Sequence, residues 1–153
     1  FVSMDPYRIV VTGRIKHYIS AFGEHVIGEE VDQAILHAAN EYNARIVEFT
    51  VAPMVQTNNG LPYHEWFVEF ENAPDNIEAF SLAVDNHLRA KNIYYDDLIT
   101  GSILQPLKLR VMSPHTFIEY MKSVGKLGGQ NKVPRLSNDR KLAEALEQWI
   151  LKK

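Results

Sequence analysis

The chain has no cysteine among its 153 residues. That removes disulfides, thiol nucleophiles and thiolate metal sites together, and it is compatible with a reducing cytoplasm, the expected location. No apolar run approaches the ~20 residues that a membrane-crossing helix needs, so no membrane partner is expected. The six histidines, His17, His25, His37, His64, His87 and His115, form neither an i, i+4 helical pair nor an HExxH arrangement, and no metal site is expected. His37 and His87 read instead as surface or packing residues. No serine stands in a nucleophile elbow, which sets hydrolase-triad chemistry aside. Internal repeats and low-complexity segments are also missing. A net charge of −3, with no RNP-like or KH-like signature, argues against a nucleic-acid partner.

What is present suits one buried domain: 46% of residues are apolar and 10% aromatic. The charges are uneven. Between Tyr63 and Asp97, Glu65, Glu69, Glu71, Asp75, Glu78, Asp85, Asp96 and Asp97 face only Arg89 and Lys91, which reads as a solvated acidic face. Between Met121 and Lys141 the balance inverts: Lys122, Lys126, Lys132, Arg135, Arg140 and Lys141 oppose Asp139 alone. The chain moves from Phe1 almost at once into the strand-like Arg8-Ile9-Val10-Val11, as expected of a domain cut from a longer protein.

Arg8–Thr12 and Tyr18–Ala21 read as short strands around the polar turn or hinge Gly13-Arg14-Ile15-Lys16-His17. From Gly28 to Tyr42, Val31, Ala34, Ile35, Ala38 and Tyr42 recur at helical spacing behind acidic first-turn residues. Arg45–Val51, with Val47, Phe49 and Val51 on one face, and His64–Phe70, with Trp66, Val68 and Phe70 on one face, read as half-buried strands that pair antiparallel. Asp75 and Glu78 resemble a capping box for a helix that buries Ile77, Phe80, Val84 and Leu88. A short helix over Tyr94–Ile99 follows, then a strand through Leu107, Leu109 and Val111. Ser113-Pro114 supplies a cap and first residue for a helix carrying Phe117, Tyr120, Met121 and Val124. A last helix begins near Asn138 and buries Leu142, Ala145, Leu146, Trp149 and Ile150. The expected fold is α+β, a mixed sheet of about four to five strands covered by helices.

The segment Gly128-Gly129-Gln130-Asn131-Lys132-Val133-Pro134-Arg135 stands out. A glycine pair opens backbone angles closed to other residues, while Pro134 fixes its own φ and biases Val133 toward extended conformations. Lys132 therefore sits where a pliable segment meets a stiff one, as suits a cation aimed at a phosphate. The same spacing also fits an ordinary surface loop ahead of a helix, because it is no phosphate-loop signature.

The run from Gly13-Arg14 through Ile15, Lys16 and Gly23 to the acidic-apolar-acidic helix start Glu30-Val31-Asp32 resembles the junction into the C-terminal domain of acyl-adenylate-forming enzymes. Lys16 takes the hinge position, often an aspartate there, and Ser20 stands where many members carry a lysine. Tyr63 to Phe70, Pro106 to Val111, Thr116-Phe117 and Gly128 to Arg135 then follow in the order of one branch. The chain resembles the auxin-responsive promoter family (Gretchen Hagen three), the acyl acid amido synthetases, and especially its bacterial branch. Plant members carry Gln, aromatic, Lys, Thr, Pro, Arg where this chain has Gln130 to Arg135. The resemblance implies a C-terminal lid spanning residues 1–153, whose partner is a large N-terminal domain of the same chain. The implied substrates are ATP with Mg2+, a carboxylic acid and an amino acid, none held tightly by the lid alone. It assigns Lys132 to catalysis and Arg14, Lys16, Gln130 and Arg135 to the nucleotide or the hinge. The alternatives are a stand-alone anion- or small-molecule-binding interaction domain, and the lid of an acyl-CoA-forming enzyme.

Overall fold

The computed structural model describes residues 3–4, 7–8, 18–55, 57–58, 60–126, 128 and 132–151. Two short antiparallel pairs open the chain: β1 (Ser3–Met4) with β2 (Tyr7–Arg8), and β3 (Tyr18–Ile19) with β4 (Val26–Ile27). The remainder of the strand expected over Arg8–Thr12, and the Gly13–His17 turn, lie outside the described residues. The main sheet comprises β5 (Arg45–Met54), β6 (Tyr63–Asn72) and β7 (Lys108–Val111), with β6 central, antiparallel to β5 and parallel to β7. A one-residue bridge widens each edge: Leu136 lies parallel to Val51, and Ile150 antiparallel to Met112. The expected four to five strands are thus three strands flanked by two bridging segments.

Helices α1 (Gly28–Glu41), α2 (Ile77–Lys91) and α3 (Ile93–Thr100) cover one face of the sheet, while α4 (Thr116–Ser123) and α5 (Lys141–Leu146) cover the other. The helical periodicity works as expected on the first face: Val31, Ala34, Ile35, Ala38, Phe80, Val84 and Leu88 are buried against Phe49, Trp66 and Val68. Phe49 stacks on Trp66 at 5.6 Å, and Tyr42 meets Phe80 edge-on at 6.0 Å. Phe67, on the opposite face of β6, packs with Ala52, Phe117, Met121, Leu142 and Leu146.

Five local expectations change. The last helix starts at Lys141 rather than near Asn138 and buries Leu142, Ala143 and Leu146, while Ala145, Trp149 and Ile150 are half-buried. Strand β6 is not half-buried: every residue from Tyr63 to Glu69 is buried, because α4 and α5 cover its second face. Val47 is 52% exposed, since register irregularities between Arg45 and Glu48 break the strict alternation and bring Ile46 against the core instead. The cap of α2 is Asn76 rather than Asp75; its side chain accepts from the Ala79 N–H at 3.0 Å. Helix α4 starts at Thr116 and takes its cap from the sheet. The Glu69 carboxylate accepts the N–H groups of His115 and Phe117, each at 3.1 Å, while His115 sits at φ 68°.

The acidic run is likewise no single solvated face. Glu65, Glu69 and Asp85 are buried, and each is matched by donors. Removing Glu69 leaves the α4 N-terminal donors without their acceptor, so Glu69→Ala is expected to lower stability by about 1–3 kcal/mol in urea unfolding. Glu71→Ala, on the exposed end of the same strand, should stay within ~0.5 kcal/mol.

Candidate functional site

The basic loop begins where α4 stops. Gly125, at φ 69°, donates to the Lys122 carbonyl at 3.1 Å, and the Lys126 N–H donates to the Met121 carbonyl at 2.9 Å, a Schellman pattern that ends the helix. Gly125 had a sequence signal, a glycine just past Val124, the last apolar residue of the helical pattern. Further on, Gly128 holds φ 87°, a backbone angle that favours glycine, with open space around the position of a Cβ.

Beyond Lys132 the backbone is seated at once. Val133 is buried among Phe67, Phe117 and Leu146. Thr50 Oγ1 donates to the Pro134 carbonyl at 2.6 Å, the Val51 N–H donates to the Arg135 carbonyl at 2.9 Å, and the Ser137 N–H donates to the Val51 carbonyl at 3.0 Å. Leu136 then enters the main core. Residues 134–137 therefore act as an extra edge segment on β5, and the side chain of Lys132 is exposed just ahead of it. No described residue holds the Lys132 ammonium. Lys122, Lys126 and Lys141 are exposed on neighbouring segments.

The two arginines of the basic stretch behave differently. Arg135 Nε donates to Asp32 of α1 at 3.0 Å, its Nη1 donates to Glu48 of β5, and the guanidinium lies 4.7 Å from the centre of the Phe49 ring. Arg140 Nη2 donates to Glu65 at 2.7 Å, and Arg110 Nε donates to the other oxygen of the same carboxylate at 2.8 Å. Burial works against the charge on Arg110, but the hydrogen bond and charge of Glu65 outweigh it and hold the guanidinium above its usual value. Glu65 thus joins β6, β7 and the start of α5. Arg14, Lys16 and Gln130 lie outside the described residues.

The chain enters this body through β3, and its attachment is polar. The Ser20 N–H donates to Asn138 Oδ1 at 3.0 Å, which ties the entry strand to the segment that follows the basic loop. Inside, Glu24 and His64 are both fully buried and joined at 2.9 Å, and the Phe22 N–H donates to the second Glu24 oxygen at 3.0 Å. Burial alone would raise the Glu24 pKa; the hydrogen bond and charge of His64, with the Phe22 N–H, overcome it and hold the carboxyl below its ordinary 4.5. Next to His64, burial first and then Asp85 push the Tyr95 phenol well above its usual range, so Tyr95 stays protonated and donates to Asp85 at 2.6 Å. On the helical surface, His37 stacks on His87 at 5.3 Å and His87 bonds Glu41, in keeping with their expected packing role. No cluster of three or more His, Asp or Glu among the described residues could hold a metal ion.

Residues 29–141, from the first turn of α1 through the basic loop to the start of α5, match the family model of the GH3 family C-terminal domain. The chain belongs to the GH3 family. Among solved structures, this GH3 domain is similar to a GH3.15 acyl acid amido synthetase (TM-score 0.72, 20% identity) and to an AtGH3.15 acyl acid amido synthetase in complex with 2,4-DB (TM-score 0.71, 19% identity). Each likeness covers 92% of this chain and 26% of the other, so the chain spans about a quarter of the length of these relatives. At such identities the likeness is one of fold. No curated protein matches the chain.

Because the folded pKa of Glu24 lies below its ordinary value, the stability it contributes is complete above pH 4.5 and is lost as pH falls through the lower folded value. Urea unfolding followed from pH 6 downward at about half-unit steps should show that acid loss in the parent chain and a flatter profile in Glu24→Gln. Equal slopes in the two proteins would remove Glu24 from the account.

Proposed function

We propose that this GH3 domain is the lid of an ATP-dependent acyl acid amido synthetase, and that Lys132 supports the adenylation step. In that reaction a carboxylate oxygen attacks the α-phosphorus of ATP, the α–β anhydride bond breaks and pyrophosphate leaves. The nitrogen of an amino acid then attacks the acyl carbon, forming the amide and releasing AMP. Negative charge builds on the α-phosphate oxygens in the first step. A cation held at those oxygens stabilises the transition state more than the ground state.

The observation that carries the proposal is the exposed Lys132 ammonium immediately ahead of the stretch seated on β5. Family membership and the quarter-length match support the lid reading, in which the acyl pocket and most of the ATP site belong to an N-terminal domain. Arg14, Lys16 and Gln130 are assigned to the nucleotide or to the hinge about which the lid turns. Closing the lid brings Lys132 to the phosphate and keeps water from the adenylate. Mg2+ accompanies ATP and takes its protein ligands from the N-terminal domain.

In the full-length enzyme, Lys132→Ala should reduce carboxylate-dependent ATP–pyrophosphate exchange by about 10²–10³-fold, the usual cost of one such donor in a shielded site. Its unfolding midpoint should not move, because the side chain is exposed. Normal exchange would end the assignment. Calorimetry of this domain with a non-hydrolysable adenylate analogue should register only weak binding, since a lid holds the nucleotide poorly without its base. Tight binding would instead favour a stand-alone binding domain.

A further inference from the structure

We infer that Arg135 is a positioning residue that sets the reach of Lys132, and that its guanidinium is not a nucleotide ligand. This inference rests on the proposed role of Lys132. Two nitrogens of Arg135 are committed to carboxylates on different elements: Nε to Asp32 on α1 at 3.0 Å, and Nη1 to Glu48 on β5. Glu48 is itself oriented, because the Phe49 N–H donates to the same oxygen at 3.0 Å. The guanidinium carbon lies over the Phe49 ring, 4.7 Å from its centre, and the same ring stacks on Trp66 in the core. One side chain thus fastens the loop to a helix, a strand and the aromatic core together.

Electrostatics separates this role from phosphate binding. One guanidinium with two carboxylates leaves the local site with a net charge of −1, so an approaching phosphate meets repulsion rather than a free cation. Lys132, by contrast, is exposed and held by no described residue. Two residues lie between the two positions, so three backbone steps span at most ~11 Å, and those residues, Val133 and Pro134, are fixed by core packing and by Thr50. Where Arg135 is clamped therefore limits where the lysine can be delivered. A misplacement of about 1 Å in such a group can cost ~10²-fold in rate.

The test uses the full-length synthetase and follows carboxylate-dependent ATP–pyrophosphate exchange in Arg135→Ala, Arg135→Lys, Glu48→Gln and the Asp32→Asn, Glu48→Gln double variant. Arg135→Ala should lower kcat by roughly 10–10²-fold while KM for ATP changes less than about twofold. The double variant should reproduce that pattern although it keeps the arginine, and Arg135→Lys should restore part of the rate. Glu48→Gln serves as the milder probe if the double variant fails to fold. A raised KM for ATP in Arg135→Ala, with carboxylate variants like the parent, would mean that Arg135 binds the nucleotide and would overturn the inference. Unchanged kcat in all four variants alongside an inactive Lys132→Ala enzyme would overturn it while leaving the lid reading intact. An active Lys132→Ala enzyme would overturn both.

Discussion

Strand β6 is buried along both faces from Tyr63 to Glu69 while carrying His64, Glu65 and Glu69, and the need to match those three groups governs where the other elements sit. A buried carboxylate without donors is prohibitively costly, so each must be met by a fixed partner. His64 is met by Glu24 from the β3–β4 turn, Glu65 by Arg110 of β7 and Arg140 ahead of α5, and Glu69 by the first N–H groups of α4. The entry segment, the third strand and both helices of the second layer are thereby docked through one strand.

Those clamps bracket the basic loop. Glu69 sets the start of α4, and its glycine stop releases the chain at Lys126; Arg140 on Glu65 sets the start of α5. Between them, the bridge at Val51 and Leu136 fixes the far side of the loop against β5. The result is a tip on a rigid seat. For the proposed adenylyl transfer, such prior placement means that ordering is not charged against the reaction.

Much of this was legible in the residues, and what was not depended on distant partners. The stripes of α1 and α2 and the pairing of β5 with β6 follow from local periodicity, and Gly128 takes the positive φ that suits a glycine there. The second buried face of β6 does not. Glu65 and Glu69 alternate with apolar residues as a solvent face would, and their partners Arg110, Arg140 and Phe117 lie 45, 75 and 48 residues away. The same blindness made an acidic run look like an acidic surface, and made Ser113-Pro114 look like the cap that Glu69 in fact provides. Val47 turns outward for a different reason, a local irregularity in register that no composition signals.

The basic stretch also divides its work by residue type. Arginine presents a planar fork that matches carboxylates and stacks on rings, and Arg135 and Arg140 of the stretch, like Arg110 on β7, are used in that way against Asp32, Glu48, Phe49 and Glu65. Lysine is a compact, strongly hydrated charge on a flexible stem, and Lys122, Lys126, Lys132 and Lys141 stay at the surface. A count of basic residues therefore overstates the positive field available to a ligand, since the forks are largely neutralised by the fold's own carboxylates. The field at the loop is carried by lysines, and only Lys132 stands directly against the seated segment. The ion-paired Arg135 and the exposed Lys132 stand three positions apart, so fold contacts and surface charge fall to different side chains of one short segment.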